Sequence, residues 1–589
     1  MPEPLSTNVQ VGDPHPELHS EEREAINDLN VRVDELGPED VGAVGVDSGA
    51  YATPAYVDSV ASGLMAKTAI VVASADAPDE LRAAADYTCD GTDDHVEINA
   101  ALDAAEPGDE VVLSRGTFNL GGTVWVPFGG ALRGQGKAGT RLKLQDGAAT
   151  NLDTVWWRSS GGDMSVILGN EFDDGDGTGS DPTRESYQGE GVVLEGFTVE
   201  GNTDELSGRI TGVLLSSVED VEVRNVHVEE INYHAVANVD PSNGFGLVTR
   251  YCRNVTLWRP SGRYCGYECL GIYDGSRDVE VFHPDFGEAG RVSGQIHRGC
   301  HNITIHPGKF LNAGSLDGGG VHGFTSHATS SEPSSGIHLR GVVIDVSDAT
   351  YGERALQVMG DHTESTFDVE AETSIGHCVD ITGVQRGRFI GSAICHSADH
   401  YAAIFGAGCK DFRITGNFVS DGFGINLGES ENCWLDDYTI RSDANFAIRC
   451  GSGATDVLIG RGLAESDKAT ALMVETVSGY VTVSGGTFLS HDTFAVQFLN
   501  DLTNREKSVL SNCNVERVGG GSAVQFRHGG GQMLDNRIVG TVRFREVPGV
   551  TFLRNTVGAV EFISTTVGDH VLHDNVIGGE FVRDGDSND

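Results

Sequence analysis

Between positions 258 and 288 the chain sets Trp258, Tyr264, Tyr267 and Tyr273 among Glu268, Asp274, Asp285 and Glu288. Aromatic faces suit sugar rings, and a carboxyl beside them can have its pKa raised far enough to donate a proton. Glycoside cleavage needs this combination, with two carboxylates roughly 5 to 9.5 Å apart across the scissile bond. Glu268, Asp274 and Asp285 are the candidate catalytic residues, and the four aromatics are candidate glycan-binding residues. Trp156-Trp157 is a further aromatic platform. Histidines crowd the interval from His283 to His338, and His322 joins the candidate glycan contacts; their spacing matches no compact zinc signature. Asp174, Asp176 and Asp181 lie in an Asp-Gly-rich stretch spaced like a calcium loop, so Ca2+ is the one cofactor the sequence suggests. That stretch lacks the terminal glutamate of an EF-hand, and a solvated surface loop is the competing expectation.

Composition limits what could carry these residues. Aspartate and glutamate number 87 against 40 lysines and arginines, a formal net charge of −47. Self-repulsion on that scale is relieved at molar salt, where the screening length falls to about 3 Å, so a halophilic setting is expected. No basic stripe exists to displace phosphate counterions, which disfavours nucleic acid as a partner. No apolar run reaches the length of a membrane span, so insertion into a membrane is not expected. The opening residues lack the basic flank and apolar stretch of a secretory signal. The 11 cysteines fall beside apolar neighbours inside repeat units, which reads as reduced core residues; Cys252, Cys265 and Cys269 are close enough in sequence for one bridge.

Three stretches follow. In residues 1–70, Ile26, Leu29, Val33 and Leu36 recur at three- and four-residue steps, a short coiled-coil seam that needs a symmetric contact between chains. Thr53 and Pro54 open a second short helix. From residue 71 to 130 a strand over Ala69–Ser74 leads to a helix over Asp94–Ala105 with Asp94 and Glu97 placed as a capping box, and then to strands at Glu110–Leu113, Gly116–Phe118 and Thr123–Val126. One helix followed only by strands is the pattern of a lid over the end of a stack.

The body, residues 131–589, is repetitive. A polar residue precedes an apolar-x-apolar triplet at Asp220, Asn254, Asp278, Asn302, Asp411, Asn432 and Asp456, with steps of 24 from Asn254 to Asp278, 24 to Asn302, 21 from Asp411 to Asn432 and 24 to Asp456. Two or three short strands per two dozen residues, with no helix between them, cannot build an α/β unit. They can wind into rungs, and Asn or Asp at a fixed corner suits a tight turn whose side chain bonds to backbone or to its counterpart on the next rung. The expected fold is all-β, a right-handed single-stranded parallel β-helix with an N-terminal capping helix, preceded by a short α-helical attachment and trimerisation region. The long interval between Asn302 and Gly341 reads as a rung interrupted by a loop.

The stretch Cys89-Asp-Gly-Thr-Asp-Asp-His-Val-Glu-Ile-Asn-Ala-Ala-Leu-Asp-Ala-Ala105, with Gly108-Asp-Glu-Val-Val-Leu-Ser-Arg-Gly-Thr-Phe118 after it, resembles the opening of pectate-lyase-like right-handed β-helix proteins. That superfamily includes lyases, hydrolases, epimerases and tailspikes, so the resemblance implies the fold and leaves the activity open. Val11-Gly-Asp-Pro-His-Pro and Tyr56-Val-Asp-Ser59 resemble motifs near the start of phage tail-fibre proteins. Together with the acidic charge and the β-helix body, these resemblances imply a tail fibre or tailspike of a tailed virus of salt-loving archaea. It would be a homotrimer in the virion, attached to viral tail or baseplate proteins through residues 1–70, and would bind host surface glycans or a surface-layer glycoprotein. The enzymatic alternative is a pectin-lyase-like glycoside hydrolase or polysaccharide lyase acting on the host envelope.

Overall fold

The computed structural model describes residues 69–584 except 107, 147, 149–153, 157–161, 170–188, 202–209, 233–243, 315–321, 350–352, 476–478, 500–507, 528–530, 548 and 564–569. The expected attachment helices in the first 68 residues lie outside the described residues. From Ala69 onward the chain is a right-handed parallel β-helix. Successive strands pair in parallel with their equivalents one rung later, for example Arg253–Trp258 with Arg277–Phe282 and that strand with His301–Ile305. Among the described strand pairs one is antiparallel, Thr154–Trp156 against Gly162–Gly169.

Through the middle of the stack each rung offers three sheets. The first contains Gly244–Arg250, Glu268–Tyr273, Val292–His297 and His322–His327. The second contains Val218–Arg224, Arg253–Trp258 and Arg277–Phe282. The third contains His227–Glu229, Ser261–Arg263, Asp285–Gly287 and Lys309–Leu311. Inward residues form one continuous core from Val72 to Phe562, including the column Phe498, Phe526, Phe544 and Phe562, whose neighbouring rings lie 4.5, 5.7 and 5.0 Å apart. All 11 cysteines are buried and free, so no bridge joins Cys252, Cys265 or Cys269.

The polar repeat position has a backbone reason. Asp220, Asn254, Asp278, Asn302, Asp411, Asn432 and Asp456 all have φ between 51° and 58°, a left-handed conformation that Asn and Asp tolerate better than other side chains. Their side chains also pair along the stack. Asn302 donates to Asp278 at 2.7 Å, and Asn254 and Asn432 donate to Asp220 and Asp411. Gly336, Glu364 and Arg386 continue the column with φ of 63°, 56° and 54°. Replacing Asn302 with valine forces a β-branched side chain into this conformation and removes the Asp278 bond. The expected loss is about 2 kcal/mol, read from the urea midpoint, while Asn302→Gly loses much less.

The N-terminal end is closed by helix α2 (His95–Ala104), which buries Ile98, Ala101 and Leu102 against the first strands. A short helix α1 (Asp79–Ala84), not expected from the sequence, precedes it. The capping box does not form. Asp94 is fully buried, and its carboxylate accepts from the backbone N–H of Gly91 at 2.8 Å and of Asn119 at 2.7 Å. The side chain therefore ties the cap to the first rung rather than satisfying the helix end. Near the other end, Asn536 and Asn555 are buried, and each donates to the next asparagine along, Asn555 and Asn575, at 2.9 and 3.1 Å. Among the described residues no helix is long and apolar enough to cross a membrane.

Candidate functional site

The rung geometry separates the candidate residues onto different faces. Glu268 and Tyr273 begin and end one first-sheet strand, and His322 sits two rungs from Glu268 in the same column, about 10 Å along the axis. The outward side of this sheet is covered: Leu214, Phe245, Val248 and Tyr273 form a small apolar cluster against which Trp125 and Tyr267 pack. Glu268 is fully buried inside that layer, and its Oε2 accepts the Tyr273 hydroxyl at 2.5 Å. Burial, and next the charge of Glu268, hold the Tyr273 phenol well above its usual range, so it remains the donor. Asp274 follows the strand and is buried too, its Oδ2 lying 3.5 Å from Arg250 Nε.

This arrangement is a packed polar network and not a cleavage pair. Both carboxyls are enclosed, Glu268 with no exposure and Asp274 with 2%. With no exposed surface, Glu268 is closed to a polysaccharide. Asp285 lies on the third sheet, exposed and paired with Arg263 at 2.7 Å. Trp258 projects from the second sheet, 37% exposed, and packs at a tilt against Phe282 at 5.1 Å, which in turn stacks on His306 at 4.1 Å. Tyr264 is exposed on the turn before Glu268–Tyr273, and Tyr267 packs beside Phe245 with the Arg291 guanidinium 5.3 Å over its ring. Trp156 ends a described strand; Trp157, Asp174, Asp176 and Asp181 lie outside the described residues.

A surface site unmarked by the sequence reading lies farther down the stack. A groove of about 430 Å³ has Arg388, Arg413, Trp434, Asp436, Asp437 and Leu458 among its lining residues. Its volume falls within the roughly 300–1,000 Å³ of small-ligand sites. A β-bulge creates it. Ile414 pairs with Leu435 and Gly416 with Tyr438, so Asp436 and Asp437 face the single residue Thr415. The extra residue bends the strand and turns both carboxylates outward. Trp434 is half-buried under the Arg413 guanidinium, 4.9 Å from the ring centroid. Asp436 is fixed by the backbone N–H of Arg461 at 2.7 Å, and Asp437 by the Arg461 side chain at 3.3 Å. The partly exposed indole, two arginines and two oriented carboxylates can contact a sugar ring and bond its hydroxyls. Elsewhere, Glu465, Asp467 and His491 bring one ligand atom each within 4.8 Å of one another and could hold a divalent cation.

No family model matches the chain, and no curated protein matches it. Among solved structures it is similar to the pre-mature bacteriophage phi29 gene product 12, at 12% identity over 84% of this chain and 71% of that one, with a TM-score of 0.44. PfbA, a surface adhesin of Streptococcus pneumoniae, matches at 12% identity over 69% and 88% of the two chains, with a TM-score of 0.33. A polygalacturonase from Erwinia carotovora matches at 12% over 71% and 92%, with a TM-score of 0.29. At these levels the likeness is one of fold and does not extend to any activity.

Proposed function

We propose that this chain is a receptor-binding spike of a tailed virus whose hosts live at high salt, and that it holds a host-surface glycan in the Trp434 groove. The groove carries the reading, because it sets the Arg413-capped indole of Trp434 beside fixed hydrogen-bonding groups in a cavity of ligand size. The resemblance of Val11-Gly-Asp-Pro-His-Pro to tail-fibre motifs supports virion attachment through residues 1–70, and the charge of −47 supports a saline habitat. Assembly as a homotrimer belongs to the same proposal.

Titration calorimetry of the full-length protein with purified host-envelope polysaccharide tests the groove. Trp434→Ala is expected to weaken binding by about tenfold or more, since a stacked aromatic contributes about 1–3 kcal/mol at a sugar or base face. Trp258→Ala, on a separate stretch of wall, should leave affinity unchanged. Equal affinity of wild type and Trp434→Ala would remove the groove from the proposal. Release of sugar fragments during the titration would favour a depolymerase over a pure adhesin.

A further inference from the structure

Well away from the groove, four side chains converge on the third sheet. His227 and Ser261 occupy the same register position on successive rungs, and the short axial repeat brings the Ser261 hydroxyl 2.8 Å from His227 Nδ1. The other ring nitrogen, Nε2, lies 3.4 Å from Oε2 of Glu229, two residues along the same strand and on the same face. Arg141 holds the second carboxylate oxygen of Glu229 at 2.8 Å. The hydrogen bond from His227, joined by the charges of His227 and Arg141, keeps the Glu229 carboxyl below its usual range, and burial opposes them. Lys137, on the turn after Ala131–Arg133, reaches over Ser261. Its ammonium donates to Ser261 Oγ at 2.7 Å and to the Arg259 carbonyl at 2.8 Å.

We propose that Ser261, His227, Glu229 and Lys137 form a hydrolytic site in which Ser261 is the nucleophile toward small carboxylic esters carried on surface glycans. The identity of the carrier rests on the glycan reading above; the ester chemistry rests on the four side chains alone. With Nε2 facing the Glu229 carboxylate, the tautomer protonated there leaves Nδ1 as the acceptor for the serine proton, the relation of nucleophile, base and orienting acid that recurs in acyl transfer. Ser261 Oγ attacks the ester carbonyl carbon as its proton passes to His227. The carbonyl oxygen gains negative charge within reach of the Lys137 ammonium, whose three N–H groups exceed the two bonds described. Collapse breaks the bond to the alcohol oxygen, which leaves with the proton from His227, and the acyl group remains on Ser261. Water then adds to the acyl carbon, His227 takes its proton and returns it to Oγ, and the carboxylic acid departs.

Two observations set this cluster apart from an ordinary rung contact. His301 and Ser335 make the same inter-rung pair at 2.8 Å, yet among the described residues no carboxylate bonds that ring and no lysine covers that serine. Burial of the Lys137 ammonium pushes it down to about 8, as suits a cation enclosed over a reacting centre. Ser261 is only 8% exposed, which limits the acyl group to one as small as acetyl.

The test uses the full-length protein with p-nitrophenyl acetate and, separately, an alkyl fluorophosphonate followed by peptide mass mapping. Nitrophenolate release and one label on Ser261 are expected. Ser261→Ala and His227→Ala should each lower the rate by about 100-fold or more, and Glu229→Gln by about tenfold or more. Ser335→Ala should leave it unchanged. An unlabelled wild type that releases no nitrophenolate, or a Ser261→Ala variant that keeps the wild-type rate, overturns the site. Labelling of the wild type does not depend on how any variant folds. Nitrophenolate release without acetate release from acetylated host envelope overturns the glycan carrier and leaves the nucleophile standing.

Discussion

Truncating Phe405 to alanine should lower stability by about 3–5 kcal/mol, the loss typical of emptying a buried aromatic site. The Phe405 ring is fully buried, with Phe389, Phe412 and Phe418 centred 5.5, 5.7 and 6.3 Å away. Phe389 and Phe418 sit on adjacent paired strands and Phe412 directly precedes the second of them, so inter-rung hydrogen bonds hold these positions and local collapse cannot close the space. Phe405→Leu retains most of the volume and should cost only about 1–2 kcal/mol. Denaturant midpoints check both values. Limited proteolysis should find the new weak point within the neighbouring rungs, because each rung of such a stack is supported chiefly by the two beside it.

The second large effect is a loss of stability in mild acid. His362 is fully buried, with its Nε2 2.9 Å from the Ser326 hydroxyl, and burial, reinforced by the nearby His327, holds its pKa at about 4 despite an opposing bond to the Gly360 carbonyl and the charge of Asp361. In the unfolded chain the same ring titrates near 6.5. The unfolded state therefore binds the proton first, and this contribution is intact above about 6.5 and lost as the pH falls toward 4. A gap of about 2.5 pKa units corresponds to roughly 3 kcal/mol. His377 is lowered to about 4 by burial as well, with His400 and Arg354 adding to the effect. Wild-type stability should fall between pH 6.5 and 4, and His362→Asn should flatten about half of that slope in urea titrations across the range. An unchanged slope in the variant would place the acid sensitivity elsewhere.

The rungs were legible because their signal is local. The corner needs a left-handed residue, Asn and Asp accept that conformation, and the apolar-x-apolar triplet after each one follows from strand alternation. Glu364 and Arg386 sit at the same corner with positive φ but lie outside the polar pattern, because neighbouring rungs impose the conformation there against residue preference. The Asp94 capping box failed for a related reason: the carboxylate had a better use in two backbone N–H groups, one of them 25 residues away. Glu268 shows how far alternation reaches. Counted from the core residues Leu270 and Ile272 it should point inward, yet it lies with Tyr273 on the covered side, and most of the layer over it, Leu214, Phe245 and Val248, comes from earlier rungs. The Trp434 groove depends on one extra residue in a strand. The Ser261 cluster depends on a 34-residue step between His227 and Ser261 and on a lysine 124 residues before the serine. Both are consequences of register, which a single rung does not reveal.

The parallel rung-to-rung pairing also sets how the wall responds to load. Its hydrogen bonds run along the axis, so compression presses the rungs together, whereas a pull on one end concentrates force on the outermost rung. Tension would then peel turns away one at a time. Each released turn of 24 residues, such as Asn254 to Asp278, would pay out about 80 Å of extended chain. A stack built this way is a stiff strut when pushed and a tether that lengthens in steps when pulled.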